Sequence, residues 1–431
     1  MSRKQPNFLV IITDQHRADH LSCMRNTVLK TPNIDAIAAA GRAFEKFYVL
    51  IPICMPNCST LFTGRMPSVH GAHCNGAPLA MSSNTMTEML RQSTFKAIAT
   101  GLTAMAISLA MVPSASAKEL LYSLIAPGHP LNQPVFGTWA DNVAKATEGR
   151  FTVKILDTIA APAPRLYDAI RTGVVDSGHT FIGFLAQKSP LIQLRMLPLI
   201  APSAEANAVA LSRTYAKYFA AKETLGGVKI LGFLSNPQGI MCSLKGPIDS
   251  ANVLKSLKKW SLPGYAAKAM QAMDVSVVAG PATEMFALIS KGTVDGFNGI
   301  SIGDAFAFKV DKFAKSCTTV KGGVFTAVFA VMINQSTWDA LPAEDQAAIE
   351  SVSNEAFAHL SAESDAWGAK LMQAYQDGGS QVIVPSDAFQ AELTAKWQPM
   401  HQAWIDMATA AGLNGQEVYD YYVAQIADAS K

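Results

Sequence analysis

A set of amides, imidazoles and guanidiniums at strand ends gives residues 118–431 the means to hold a small molecule. His129 and His179 each follow a predicted strand. Asn298 follows the run Val294 to Phe297, and Asn236 and Gln238 sit in the turn-like stretch Ser235-Asn236-Pro237-Gln238-Gly239. Arg165 and Arg195 are spare cations nearby in sequence. These side chains donate and accept hydrogen bonds, and a guanidinium also pairs with an anion. After Lys118 there is no nucleophile–base pair, no metal-ligand spacing and no phosphate loop. The chemistry expected is noncovalent capture, with no cofactor.

An α/β framework must position these groups. Leu120 to Ala126 reads as a strand. Gln133 to Ala146 reads as a helix, with Pro134 in its first turn and Val135, Phe136, Trp139 and Val143 on one face. Phe151, Val153 and Ile155 alternate as a strand. One unit occurs twice. Leu166 to Ile170 leads into Gly173-Val174-Val175-Asp176, and 119 positions on, Met285 to Ile289 leads into Gly292-Thr293-Val294-Asp295. Each reads as an amphipathic helix stopped by a glycine, then a strand ending in Asp. The repeat predicts two similar lobes facing a shared cleft, where ligands of open α/β sheets bind. The last third is helical: a long helix starts at Leu341 to Gln346, and Ala356 to Tyr375 and Phe389 to Ala411 carry packing stripes.

The totals narrow the function. A net charge of +2 with 16% charged residues gives no electrostatic footprint for nucleic acid or an anionic membrane. A hydrophobic content of 49% supplies sizeable cores. Cys23, Cys54, Cys58 and Cys74 lie early, and the remaining Cys242 and Cys317 do not make a disulfide framework.

Residues 93–117 interrupt the chain. Arg91 and Lys96 precede an uncharged apolar run from Ala97 to Val112, and Ala115-Ser116-Ala117 is a small-residue cleavage site. The run is shorter than the ~20 residues that span a bilayer. This is a secretory signal in an internal position. It divides residues 1–92 from residues 118–431 and predicts a mature N-terminus at Lys118, with translation starting at Met86 or Met89.

Residues 118–431 resemble the solute-binding proteins of tripartite ATP-independent periplasmic (TRAP) transporters. The motifs are Gly128-His129-Pro130-Leu131, Gly173 to Asp176, Leu191 to Pro202, Leu254 to Gly264, Gly292 to Gly296, and Trp338 to Gln346, in that order. The resemblance implies a periplasmic two-lobed α/β protein with spanning and C-terminal helices. Lobe I would cover about 118–240 and 325–370, and lobe II about 241–324 and 371–431. Its partners would be a small organic acid and the membrane permease subunits. The family usually places an Arg before the segment matching Leu262-Pro263-Gly264, and here the stretch is Lys258-Lys259-Trp260-Ser261. Trp260 would stack on an apolar or aromatic ligand body, and Lys259 would supply a point charge. Asn298, Asn236, His129, Arg165 and Arg195 complete the candidate set.

Residues 7–92 resemble the N-terminal end of sulfatases and related phosphonate or arylsulfate hydrolases. The marks are Asn7 to Asp14, Thr31 to Asp35, Cys54 to Arg65 and Pro67 to Gly71. In that family Asp14 would bind a divalent metal and Cys54 would become formylglycine. Cys58 stands where the family has Arg, and the later metal ligands have no counterpart after Ser93. Asp14 and Cys54 are therefore expected to be vestiges in an incomplete α/β fragment joined by gene fusion. Hydrolysis of sulfate or phosphonate esters is the rival function.

Overall fold

The computed structural model describes residues 17–44, 48–50, 53–72, 74, 79, 85–86, 118–200, 202–222 and 225–431. The strand expected at 7–12, Asp14 and the signal-like segment 93–117 lie outside the described residues. The chain divides into two units, Met1–Pro113 and Ser114–Lys431.

In the first unit, Pro32–Ala40 and Cys54–Thr63 are helices. Pro at the first helical position and a left-handed Gly64 after the last explain their ends. A polar knot of Ser22, Thr31 and Asp35 braces the first helix. Among the described residues of this unit only Pro56, Ser59, His70 and Ala72 are buried, while Ile37, Phe44, Leu61 and Val69 are exposed. A helix that buries no apolar face lacks its main stabilisation.

The second unit holds two sheets. The first orders β2 (Phe151–Ile155), β1 (Lys118–Ser123), β3 (Ser177–Phe181), β10 (Val328–Asn334) and β4 (Val228–Ser235). The second orders β11 (Gln381–Ile383), β9 (Ser316–Thr318), β5 (Ile240–Ser243), β8 (Gly296–Ile300), β6 (Lys258–Ser261) and β7 (Ser276–Ala279). In each, three parallel strands meet an antiparallel neighbour, β10 against β3 and β5 against β8. The repeat seen in sequence is therefore β1–β2–β3 against β6–β7–β8.

The details of the repeat correspond. Pro162 and Pro281 open the helical segments. Gly173 and Gly292 close them at φ +75° and +65°, a left-handed turn that glycine adopts without a Cβ penalty. Asp176 accepts the backbone N–H of Leu121 and Asp295 that of Lys258, both at 2.9 Å. One expectation needs correction here. Asp176 and Asp295 do not end strands; each precedes one, and its carboxylate holds a backbone N–H of the neighbouring parallel strand.

Of the segments that carry the chain between sheets, 236–239 and 319–327 bond to each other. Asn236 N–H donates to Ala327 O at 2.9 Å and Gly239 N–H to Phe325 O at 2.6 Å. Helix Ser361–Asp377 spans from one sheet to the other: Ser361 Oγ accepts Ser235 N–H, and Tyr375 O–H reaches Ala314 O beside β9. The long helix expected from Leu341 is broken. It runs as Ala343–Ser351, Asn354–Ala358 and Ser361–Asp377, and Ser353 at the break accepts the indole N–H of Trp139. Helix Asp387–Ala410 docks on the second sheet's helices through Trp397, which donates to Ala269 O at 2.8 Å. Helix Gly415–Ala429, expected with lobe II, packs instead on Ala204–Thr214, where Arg213 pairs with Glu355 and Asp428.

Cys242 and Cys317 form a disulfide. From sequence these two cysteines made no disulfide framework, but β5 and β9 pair with Cys242 directly opposite Cys317.

Candidate ligand-binding site

A cavity with about 750 Å³ of empty volume, part of it open to solvent, lies at the C-terminal strand ends of both sheets. The first half supplies most of its aromatic surface. β1 stops at Ser123 and lets Ile125, Ala126 and His129 turn onto the cavity. Helix turns from Asn132 bring in Phe136, and β3 brings His179 and Phe181. Phe329 on β10 stands opposite Phe181 in register. The rings interlock: Phe136 stacks on His179 with centroids 4.2 Å apart, and Phe181 meets Phe184 edge-on at 5.3 Å. The second half adds Leu262, Ile300, Phe308 and the start of helix Ala282–Ser290.

The polar groups are few. Asp304, on the helix after β8, accepts from Asn236 Nδ2 with both oxygens at 3.0 Å and lies 3.2 Å from His129 Nε2. It closes a capping box with Ser301. His129 and Asp304 come from opposite halves, so this bond crosses the cleft. Burial alone would raise the Asp304 carboxyl. His129 and the Ser301 hydrogen bonds outweigh that and hold it below the ordinary carboxylate range. His179 is buried, its Nδ1 3.1 Å from Tyr122 Oη, and burial pushes its pKa down to about 3. Among the described residues no Lys or Arg lines the cavity.

Of the residues selected from sequence, His129 and Asn236 line the cavity. Lys259, Trp260 and Asn298 do not. All three are fully buried, because β6 and β8 are interior strands of the second sheet. Lys259 Nζ donates to Cys242 O at 3.0 Å, and burial lowers its pKa to about 7. Trp260 packs in the core with its indole N–H unpaired. Asn298 donates to Ser261 Oγ at 3.1 Å. Arg165 is exposed, although Ala163 two residues earlier lines the cavity. Arg195 is fully buried with one bond, to Ser235 Oγ at 3.2 Å, and burial draws its pKa down. Asp304 and the phenylalanines were missed. The Ser301-x-x-Asp304 box directly after a predicted strand was the available signal for Asp304. In the first unit Cys54 is exposed. Among the described residues no three His, Cys, Asp or Glu converge in a group that could hold a metal ion, and Asp14 lies outside them.

Two α/β halves with the same strand plan meet at a largely apolar cavity, the arrangement of a two-lobed binding protein. Residues 123–407 match the family described as bacterial extracellular solute-binding protein, family 7, and the chain belongs to that family. It is similar to the outer membrane transporter protein TsaT of Comamonas testosteroni, at 35% identity over 324 residues, covering 74% of this chain and 96% of that one. A TRAP periplasmic solute-binding protein from Bordetella bronchiseptica, with bound (R)- and (S)-mandelate, is 26% identical. The match covers 72% of this chain and 99% of that one at a TM-score of 0.69. A marine metagenome TRAP solute-binding protein specific for aromatic acid ligands, in complex with 3-hydroxybenzoate, is 25% identical over 73% and 99% of the two chains, at a TM-score of 0.66.

Residues 6–107 match the sulfatase family. An uncharacterized sulfatase of Escherichia coli K12 is 35% identical over 83 residues, which are 19% of this chain and 17% of that one. The chain thus spans less than a fifth of that relative. Solute-binding proteins of the TRAP class are periplasmic, bind small organic acids and work with TRAP membrane components. Among the described residues no helix is long and apolar enough to cross a membrane.

Proposed function

We propose that residues 118–431 capture a small acid with one carboxylate and an aromatic body, for delivery to TRAP permease subunits. The carrying observation is a cavity walled by Phe136, Phe181, Phe184, Phe308 and Phe329, with no Lys or Arg lining it among the described residues. Burying a second carboxylate without a partner costs several kcal/mol. His129 and Asn236 are the ligand-facing members of the candidate set. The mandelate and 3-hydroxybenzoate complexes of similar proteins support the same class. Calorimetry of the full chain against mandelate, benzoate, succinate and malate tests the reading. Micromolar binding of the aromatic acids and weak binding of the dicarboxylates is expected; tight succinate binding would overturn it.

Export goes with this reading. The signal at 93–117 directs secretion, and the Cys242–Cys317 disulfide suits an oxidising compartment. N-terminal sequencing of exported protein should begin at Lys118, and an exported product retaining residues 1–92 would contradict it. The sulfatase-like leader is read as a gene-fusion remnant without catalysis. The full chain should not turn over aryl sulfates or phosphonate esters with or without divalent metal. Turnover that disappears in Cys54→Ala would reverse that assignment.

A further inference from the structure

Two of the polar side chains on the cavity lining, Asn236 and His179, each keep an atom with no partner among the described residues, and their hydrogen-bonding senses are opposite. The first is Asn236 Oδ1. Its amide nitrogen donates to both oxygens of Asp304, and a carboxylate only accepts, so the amide orientation is determined by its partner. Asp304 also receives the N–H and O–H of Ser301 at 3.1 and 2.8 Å. Leu131 N–H donates to His129 Nδ1, which leaves the proton on Nε2 to point at Asp304. With its lone pairs occupied, Asp304 acts on a ligand only through Asn236. Oδ1 then points away from Asp304, onto the cavity that Asn236 lines, and takes no donor from the described residues.

The second group is His179 Nε2. Tyr122 is fully buried, and among the described residues the one hydrogen bond its hydroxyl makes is to His179 Nδ1. The hydroxyl proton has no other acceptor, so it goes to Nδ1 and the ring carries its own proton on Nε2. Burial keeps the ring neutral. The cavity therefore presents an N–H donor at His179 and a carbonyl acceptor at Asn236.

Their separation follows from register. His179 lies opposite Val331, and Val331 opposite Gly232. Asn236 is thus two strands across and four residues along, on the same sheet face, with backbones roughly 16 Å apart by standard strand spacings. Ligand groups meeting the two must lie at opposite ends of the ligand. A carboxylate suits the donor end and is repelled by the acceptor end, where Asp304 adds negative charge.

Resting on the aromatic-acid reading above, we propose that the cavity selects an aromatic acid bearing a hydroxyl at the end remote from its carboxylate, read by Asn236 under the control of Asp304. A site that accepts a hydroxyl hydrogen bond strongly rejects the analogue lacking it, because its own buried polar group is left unpaired.

The test is calorimetry of the full chain with benzoate, 4-hydroxybenzoate, 2-hydroxybenzoate and 4-methylbenzoate. The 4-hydroxy acid is expected to bind at least 10-fold more tightly than the 4-methyl and 2-hydroxy acids. In Asn236→Leu the preference for 4-hydroxyl over 4-methyl should vanish or reverse. Asp304→Asn, which retains Asn236 but lets its amide turn, should reduce the preference several-fold and keeps the test available if the first variant fails to fold. Equal binding of 4-methyl- and 4-hydroxybenzoate by the parent, or a preference unchanged in either variant, would overturn the inference alone. A chain that binds none of the four acids overturns the aromatic-acid reading beneath it.

Discussion

His179 on β3 and Asn298 on β8 occupy the same place in the two halves, since Ser177 pairs with Tyr122 and Gly296 with Lys259 in matching parallel ladders. In the first half this position opens onto the cavity, beside the rings of Phe136 and Phe181. In the second it is sealed, with Asn298 bonded to Ser261 and Ala266 O. One plan thus serves two purposes. The first half presents aromatic surface, and the second closes over it with Leu262, Ile300 and the Asp304 box. The difference teaches that a repeated unit locates a cleft but does not say which copy lines it.

The largest effect expected from this contrast is on pH dependence. Each half buries a basic group whose pKa is lowered by burial, His179 to about 3 and Lys259 to about 7. Both are depressed below their unfolded values, so the unfolded chain binds more protons between the two pKa values of each group. Stability should therefore rise with pH from about 3 to 6.5 through His179 and from about 7 to 10.5 through Lys259, each on the order of several kcal/mol. Denaturant titrations across pH check this. His179→Gln should flatten the lower window only, and Lys259→Met the upper window only. A single flat profile would remove the distinction between the two sites.

The next effect separates packing from recognition. Trp260→Ala should cost about 3–5 kcal/mol of stability, as for other buried tryptophans, while Trp260→Phe should leave mandelate affinity within about two-fold. Phe329→Ala should instead weaken mandelate binding by about 10-fold or more, the equivalent of ~1.4 kcal/mol. Calorimetry with both variants decides which aromatic residue meets the ligand.

A smaller effect belongs to the second half alone. The Cys242–Cys317 bridge closes a separation of 75 residues. Its loss in Cys242→Ala/Cys317→Ala should cost about 2–4 kcal/mol. Thermal melts of the parent with and without reductant should differ by the same amount, and unchanged melts would contradict a formed bridge.

What was legible in the sequence was local. The helix stops at Gly173 and Gly292 and the unit recurring at a spacing of 119 depend on backbone preferences within a few residues. The α/β class followed from the strand–helix–strand alternation after Lys118. The site was less legible because sheet order decides it. Lys259 and Trp260 lie near a strand end in sequence, but β6 is flanked by β8 and β7 and both faces are covered. Phe181 and Phe329 are 148 positions apart in sequence and meet through the antiparallel β3–β10 pairing, a contact that no local pattern encodes. The disulfide was hidden for the same reason, in the β5–β9 register.

The most direct measurement is a crystal structure of the chain grown with mandelate. The ring should lie among Phe136, Phe181 and Phe329 with the carboxylate at the His179 end. Ligand density beside Trp260 and Lys259, or a carboxylate seated on Asn236, would contradict the account.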